Sequence, residues 1–255
     1  MNSIERAAGI ALLTVASLGM IVTAEGPAEL VVRHIAVVDG AGRLLPARDI
    51  VVRGTRIVSL APAGQLLPPA KTLIDGMGKF AIAGLVDADA PTAAFTPAAA
   101  QALLARGITT IGDRRGDPAR LEQWRRDLAT GRLYGPKVAP SCGRGGGVAA
   151  ASAPDALDAV HDALARLVTV GRSPAEAIAT FTRDNARALC LDTGGTIAPG
   201  HPADFVVLGA NPLQDIRHVR QIDAVVFRGE VLTQAHLQML RRGTLPAPTP
   251  PAANR

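Results

Sequence analysis

The alternation of apolar and polar positions along this chain changes character more than once, and each change marks a different kind of element. Residues 29–38 (Glu-Leu-Val-Val-Arg-His-Ile-Ala-Val-Val) are β-branched and mostly apolar, and the turn signal Asp39-Gly40 closes them, which predicts a strand. Asp49 to Val52 and Arg56 to Leu60 flank Arg53-Gly54-Thr55 and read as a tight hairpin. Thr72 to Ile74 is a further short strand. This opening stretch is all-β, with the strand spacing of a small sandwich.

From Phe80 the pattern is different. Phe80-Ala-Ile-Ala-Gly-Leu-Val86 is a continuous apolar run suited to a strand buried on both faces. Thr96 followed by Pro97 starts a helix that ends before Gly107, and Ile108 to Ile111 is a second buried strand. Asp117-Pro118 opens a helix running to Gly131, and Lys137 to Ala139 is a third strand. Strand and helix in alternation indicate a parallel α/β unit. After the glycine stretch Ser141-Cys-Gly-Arg-Gly-Gly-Gly147 only helices follow. One spans Pro154 to Val170 with Leu157, Val160, Leu164, Leu167 and Val168 on one face, one opens on the capping box Ser173-Pro-Ala-Glu176, and a short one runs from Asp184 to Leu191. Strands return at Thr196-Ile197, Asp204 to Leu208 and Ala224 to Phe227, and the tail 243–255 is proline-rich and expected to be disordered.

The strands of 196–231 lack a second apolar layer of their own, so the strands at the other end of the chain are expected to complete them. The fold class expected is α/β: a composite β-sandwich from both chain ends, residues 29–79 plus 195–232, with an incomplete (β/α)8 barrel of the TIM type, residues 80–194, inserted between them.

Composition refines this picture in two ways. Of 255 residues 48% are hydrophobic but only 3% aromatic, so the core rests on Ala, Val, Leu and Ile. The formal charge is +5, yet the arginines are interleaved with acids, as in Arg120-Leu-Glu-Gln-Trp-Arg-Arg-Asp127, with no stacking aromatics between them. That is a solvated helix face and argues against a nucleic-acid partner.

Several segments resemble the amidohydrolase superfamily, and within it the imidazolonepropionase-like and prolidase-like branch. Val37-Val-Asp-Gly40 and Asp49 to Val58 resemble the opening strands of that family's small domain, and Ile74-Asp-Gly-Met-Gly78 with Ala83-Gly-Leu-Val-Asp-Ala88 resembles the entry to its first barrel strand. Leu104 to Ile111 and Gly135-Pro-Lys-Val138 resemble the next strands, and Gly195-Thr-Ile-Ala-Pro-Gly200, Ala203-Asp-Phe-Val-Val207 and Asn211-Pro-Leu-Gln-Asp215 the closing signature. The resemblance implies a barrel holding zinc or another divalent metal, whose bound water attacks a C–N bond of a small amide or dipeptide. The ligands it implies are a His-x-His after the first strand, a carbamylated Lys or a Glu on the fourth, single histidines on the fifth and sixth, and an Asp on the eighth.

The chain departs from that pattern throughout. Asp89 and Pro91 stand at the two histidine positions, and proline has no donor atom. A complete barrel takes about 250 residues, far more than residues 80–194 supply, so most of strands four to eight and their ligands are missing. His34, His161, His201, His218 and His236 fall on unrelated elements without zinc-site spacing. None of Lys71, Lys79 and Lys137 falls where the carbamate is implied. Two weaker candidates are Asp87 with Asp89 as oxygen ligands for Mg²⁺ or Ca²⁺, and Gly143–Gly147 as a backbone anion cradle. Neither outweighs its structural reading, so no catalytic, cofactor or metal residue is expected and no cofactor is predicted. The functional expectation is a family member inactive as a hydrolase. A non-catalytic exported binding or scaffold protein, and a hydrolase completed by another subunit, are the alternatives. The open barrel would leave strand edges at Ile108–Ile111 and near Lys137 that favour self-association.

The N-terminus carries a short polar start, an apolar run from Ala7 to Val22 and the small-residue ending Val22-Thr-Ala24, the layout of a secretory signal peptide over 1–24. The run is shorter than the ~20 residues of a spanning helix, so no stable membrane span is expected. Export to the periplasm or the extracellular space would permit a disulfide, but Cys142 and Cys190 lie in different elements and are expected to be separate thiols. Cleavage is expected after Ala24, and N-terminal sequencing of the secreted protein should begin at Glu25; a start elsewhere would count against this leader.

Overall fold

The computed structural model describes residues 27–90, 96–112, 117–139 and 157–245. The first strand, β1 (Ala28–Val38), pairs antiparallel with β2 (Leu44–Arg53), which pairs antiparallel with β3 (Arg56–Pro62). Along its other edge β1 takes two partners in succession. Its first half runs parallel to β4 (Ala70–Asp75) and its second half parallel to β5 (Phe80–Ala83). A bulge separates the halves at His34, which sits at φ 57° with its amide donating to Asp49 Oδ1.

The far end of the chain joins the same sheet. β9 (Phe205–Leu208) pairs antiparallel with β5, β10 (Ile222–Phe227) with β9, and β11 (Glu230–Leu232) with β10. Strands from both ends therefore form one continuous sheet. A bridge between Arg56 and Pro202 brings β3 up to the entry of β9, so the sheet curls back toward itself.

Phe80–Val86, read from the sequence as a single buried strand, is divided at Gly84. Phe80–Ala83 belongs to the large sheet, while β6 (Leu85–Asp87) starts a second, parallel sheet with β7 (Ile108–Ile111) and β8 (Lys137–Val138), in the order β6-β7-β8. Gly84 permits the switch because a Cβ there would lie 2.1 Å from Thr109 Oγ1. Thr196-Ile197, expected as a strand, belongs to no strand. Ile197 still joins the core, packed with Phe205 and Ala203; its apolar character reported burial rather than pairing.

The apolar runs of β5, β9 and β10 have a direct cause, since both faces of these strands are covered. Ala81, Ala83, Phe205, Val207, Ala224 and Val226 close the curled sheet's interior with Leu30, Ile35, Ile50 and Ile57. Their neighbours Ile82, Val206, Leu208, Val225 and Phe227 face a second core. That core is built from α1 (Pro97–Leu104), α2 (Pro118–Ala129), α3 (Ala159–Thr169), α4 (Pro174–Ala179), α6 (Gln234–Arg241) and the 3-10 turn Ile216–Arg220. Caps expected from sequence are made. Thr96 accepts from Ala99 N, Asp117 from Ala119 N, and Ser173 with Glu176 forms a capping box. A π-turn, Thr180–Asp184, leads into α5 (Asn185–Ala188), so the helix expected over Asp184–Leu191 is shorter and entered differently.

Gly229 packs tightly against the first hairpin: a Cβ there would lie 2.0 Å from Gly54 O. Gly200 shares its backbone, φ +83° at both, but has nothing within 4 Å. Gly200→Ala should therefore cost only the left-handed penalty, about 1 kcal/mol. Gly229→Ala should cost more than about 2 kcal/mol, since it also forces the hairpins apart. Chemical denaturation of the two variants checks the difference.

Candidate functional site

In a sheet of parallel strands the chemistry belongs at the carboxyl ends. Here β6 runs out at Asp87 and turns back at once: Asp89 N–H donates to Asp87 Oδ1 at 3.2 Å, Gly112 N–H to Asp87 O, and Ala90 N–H to Gly112 O. Asp87 and Asp89 are both buried, and neither carboxylate is without a partner. Val86, Ala88, Ala139, Ala186 and Leu189 form a small apolar cluster that covers this end. Asp87 thus holds the turn. Pro91 and the glycine stretch 143–147 lie outside the described residues.

Among the described residues no three His, Cys, Asp or Glu side chains come together as a metal site. Each lysine is committed to a carboxylate: Lys71 to Glu29 at 3.8 Å, Lys79 to Asp223 at 2.9 Å and Lys137 to Asp204. The histidines are structural. His218 Nδ1 lies 2.8 Å from Asn211 O, His236 completes the capping box of α6 with Thr233, and His34 occupies the β1 bulge. His201 lies in the turn before β9 with its Nδ1 buried.

Both edges of the parallel sheet are engaged by side chains. Ile108–Ile111, expected to present an open edge, is the central strand; the edges are β6 and β8. Asn185 Nδ2 donates to Val86 O at 2.8 Å, and Arg125 donates to Val138 O and Ala139 O. These bonds occupy part of what a further strand would otherwise take up. Cys190 is disulfide-bonded, which corrects the expectation of separate thiols, since separation along the sequence says nothing about proximity in space. The chain's other cysteine, Cys142, lies outside the described residues.

At the opposite, amino end of the parallel strands is a polar cluster that the sequence reading passed over. Lys137, at the start of β8, bonds to Asp204 Oδ2; Asp204 Oδ1 accepts from Arg228 N at 2.8 Å, and the Lys137 ammonium stands 5.8 Å from the Phe227 ring centroid. These contacts tie the parallel sheet to the large one. One signal was available, the two hydroxyls of Thr109-Thr110 inside an otherwise apolar strand.

These observations can be set beside known proteins. A family model described as "Amidohydrolase family" matches residues 152–233. The structure is similar to a putative prolidase from Bifidobacterium longum, with a TM-score of 0.63 and 19% identity over 86% of this chain and 100% of that one. It is similar to molinate hydrolase at a TM-score of 0.64 and 14% identity, over 91% of this chain and 100% of that one. For phenylurea hydrolase B the values are 0.65 and 15%, over 82% and 98%. The fold is that of the prolidase-like amidohydrolases. It is a mixed α/β fold with a sheet-rich part and helices. No curated protein sequence matches the chain. Among the described residues no helix is long and apolar enough to cross a membrane.

His161 is the one histidine sunk in the helical core, 4% exposed, with Nε2 lacking a hydrogen-bond partner among the described residues. Around it stand Asp158 at the start of α3, Arg106 before β7 and Arg220 of the 3-10 turn. Burial, with the Arg220 charge, pushes its pKa down from 6.5 to about 4. The folded state therefore keeps the ring neutral where the unfolded chain would take up a proton. This contribution is fully present above pH 6.5 and is lost as pH falls toward 4. The difference corresponds to about 3 kcal/mol. His161→Leu should flatten the stability profile between those pH values, read as melting temperature against pH; an unchanged acid slope would refute the assignment.

Proposed function

We propose that this chain is an exported protein of amidohydrolase fold that does not carry out the metal-dependent hydrolysis of C–N bonds for which that fold is built. The observation carrying this reading is the donor set at the carboxyl end of β6. Asp89 and Pro91 stand where the resemblance implies two histidines, and Asp87 spends one oxygen on the turn. Metal affinity grows with ligand count and pre-organised geometry, so a carboxylate in that setting holds a divalent ion weakly.

In this reading the large sheet corresponds to the family's small composite domain, and β6–β8 to the first strands of a barrel. The solved relatives set the class of bond that an active form would address. One is a Xaa-Pro dipeptidase with bound methionine, another a phenylurea hydrolase. The substrate of an active form would be a small amide or dipeptide. Self-association through β6 or β8 would first have to displace Asn185 or Arg125 from the strand carbonyls, which favours the single chain over a barrel completed by another subunit.

Purified full-length protein, dialysed and analysed for metal, should hold well under one equivalent of zinc and show no turnover of Xaa-Pro dipeptides, anilides or phenylureas. Restoring histidine with Asp89→His and Pro91→His should leave it inactive, because two donors do not complete a site. One equivalent of tightly held zinc, with turnover abolished by Asp89→Ala, would overturn the proposal.

A further inference from the structure

Between the amino ends of the parallel strands and the last turn before β9 lies a cavity of about 110 Å³. That is room for several waters or a small organic molecule, at about 10–15 Å³ per water. It opens at the amino ends of the strands by Gly84, Lys137 and Asp204 and reaches along them as far as Val86, the residue before Asp87.

Its walls are of two kinds. Val86, Ala186, Leu191 and Pro202 supply an apolar side. Thr109, Thr110, Lys137 and Asp204 supply a polar one. The two threonines are brought there together by a bulge: Leu85 is opposite Ile108 but Val86 is opposite Thr110, so Thr109 is an extra residue in β7. They are 1% and 6% exposed.

The polar groups on this wall set the ligand chemistry. Asp204 is spent, one oxygen on Arg228 N–H and the other on Lys137. The Lys137 ammonium has three N–H groups, and its bond to Asp204 uses one. Its side chain is 39% exposed, so the group is reachable from solvent. Two ammonium N–H groups and two buried hydroxyls, beside a short apolar wall, suit an acceptor-rich head on a small alkyl tail. We infer that this cavity binds a short-chain monocarboxylate, its carboxylate on Lys137, Thr109 and Thr110 and its alkyl group against Val86, Ala186 and Leu191. The ammonium then lies between two carboxylates, and the nearby Asp204 charge weakens the binding. The inference is independent of whether the chain hydrolyses anything.

The full chain is titrated at pH 7 with acetate, propionate and butyrate, with methyl propionate as the uncharged match, by saturation-transfer NMR and by amide chemical-shift mapping. Saturable binding of the acids and not of the ester is expected, with shifts at Thr109, Thr110, Gly194 and Gly195. Thr109→Val and Thr110→Val keep the side-chain shape and should each weaken binding about three- to tenfold. Should either variant fail to fold, the shift map on the unaltered protein decides. No saturable binding, equal binding of the ester, shifts elsewhere, or undiminished affinity in both folded variants would overturn the assignment.

Discussion

The antiparallel pairing of Phe80–Ala83 with Phe205–Leu208 is the contact on which the rest of this molecule depends. It joins segments more than a hundred residues apart, and its strands lie between two cores. Phe205 and Val207 face the interior of the curled sheet, and Val206 and Leu208 face the helices. Burial on both faces removes apolar area from water twice over for the same stretch of backbone, at roughly 25 cal/mol per Å². That pairing joins the sheets of the two chain ends into one.

This arrangement also sets where the parallel sheet can sit. β5 and β6 are separated by Gly84 alone, so β6 leaves the large sheet directly and cannot move far from it. The Lys137–Asp204 bond and the Phe227 ring fix the other side. Two sheets held at their amino ends leave the carboxyl ends to the turn at Asp87 and the apolar cover of α5. The same restraint leaves the space between the sheets that Thr109 and Thr110 line, because both sheets are anchored around it.

The treatment of the sheet edges bears on what kind of protein this is. A parallel sheet of few strands would ordinarily present carbonyls to any extended partner. Here Asn185 and Arg125 bond to Val86 O, Val138 O and Ala139 O. Such bonds form within the chain and take up part of each edge among the described residues.

The sequence by itself determined the elements whose signals are local. The helix starts at Thr96, Asp117 and Ser173, the strand Ile108–Ile111 and the hairpin around Gly54 all follow from capping, periodicity and turn chemistry within a few residues. The resemblance to the amidohydrolases was equally legible, because it rests on short stretches such as Ala203-Asp-Phe-Val-Val207. Only the tertiary structure decided what depends on distance between remote residues. Phe80–Val86 reads as one apolar run whether it serves one sheet or two, and only packing showed the division at Gly84. Ile197 is apolar without being a strand, since burial and pairing leave the same mark on a sequence. The commitment of Lys137 to Asp204, the bonding of Cys190 and the setting of His161 beside Arg106 and Arg220 are decided by the fold. No local pattern encodes them, because a side chain's partner is chosen by the fold.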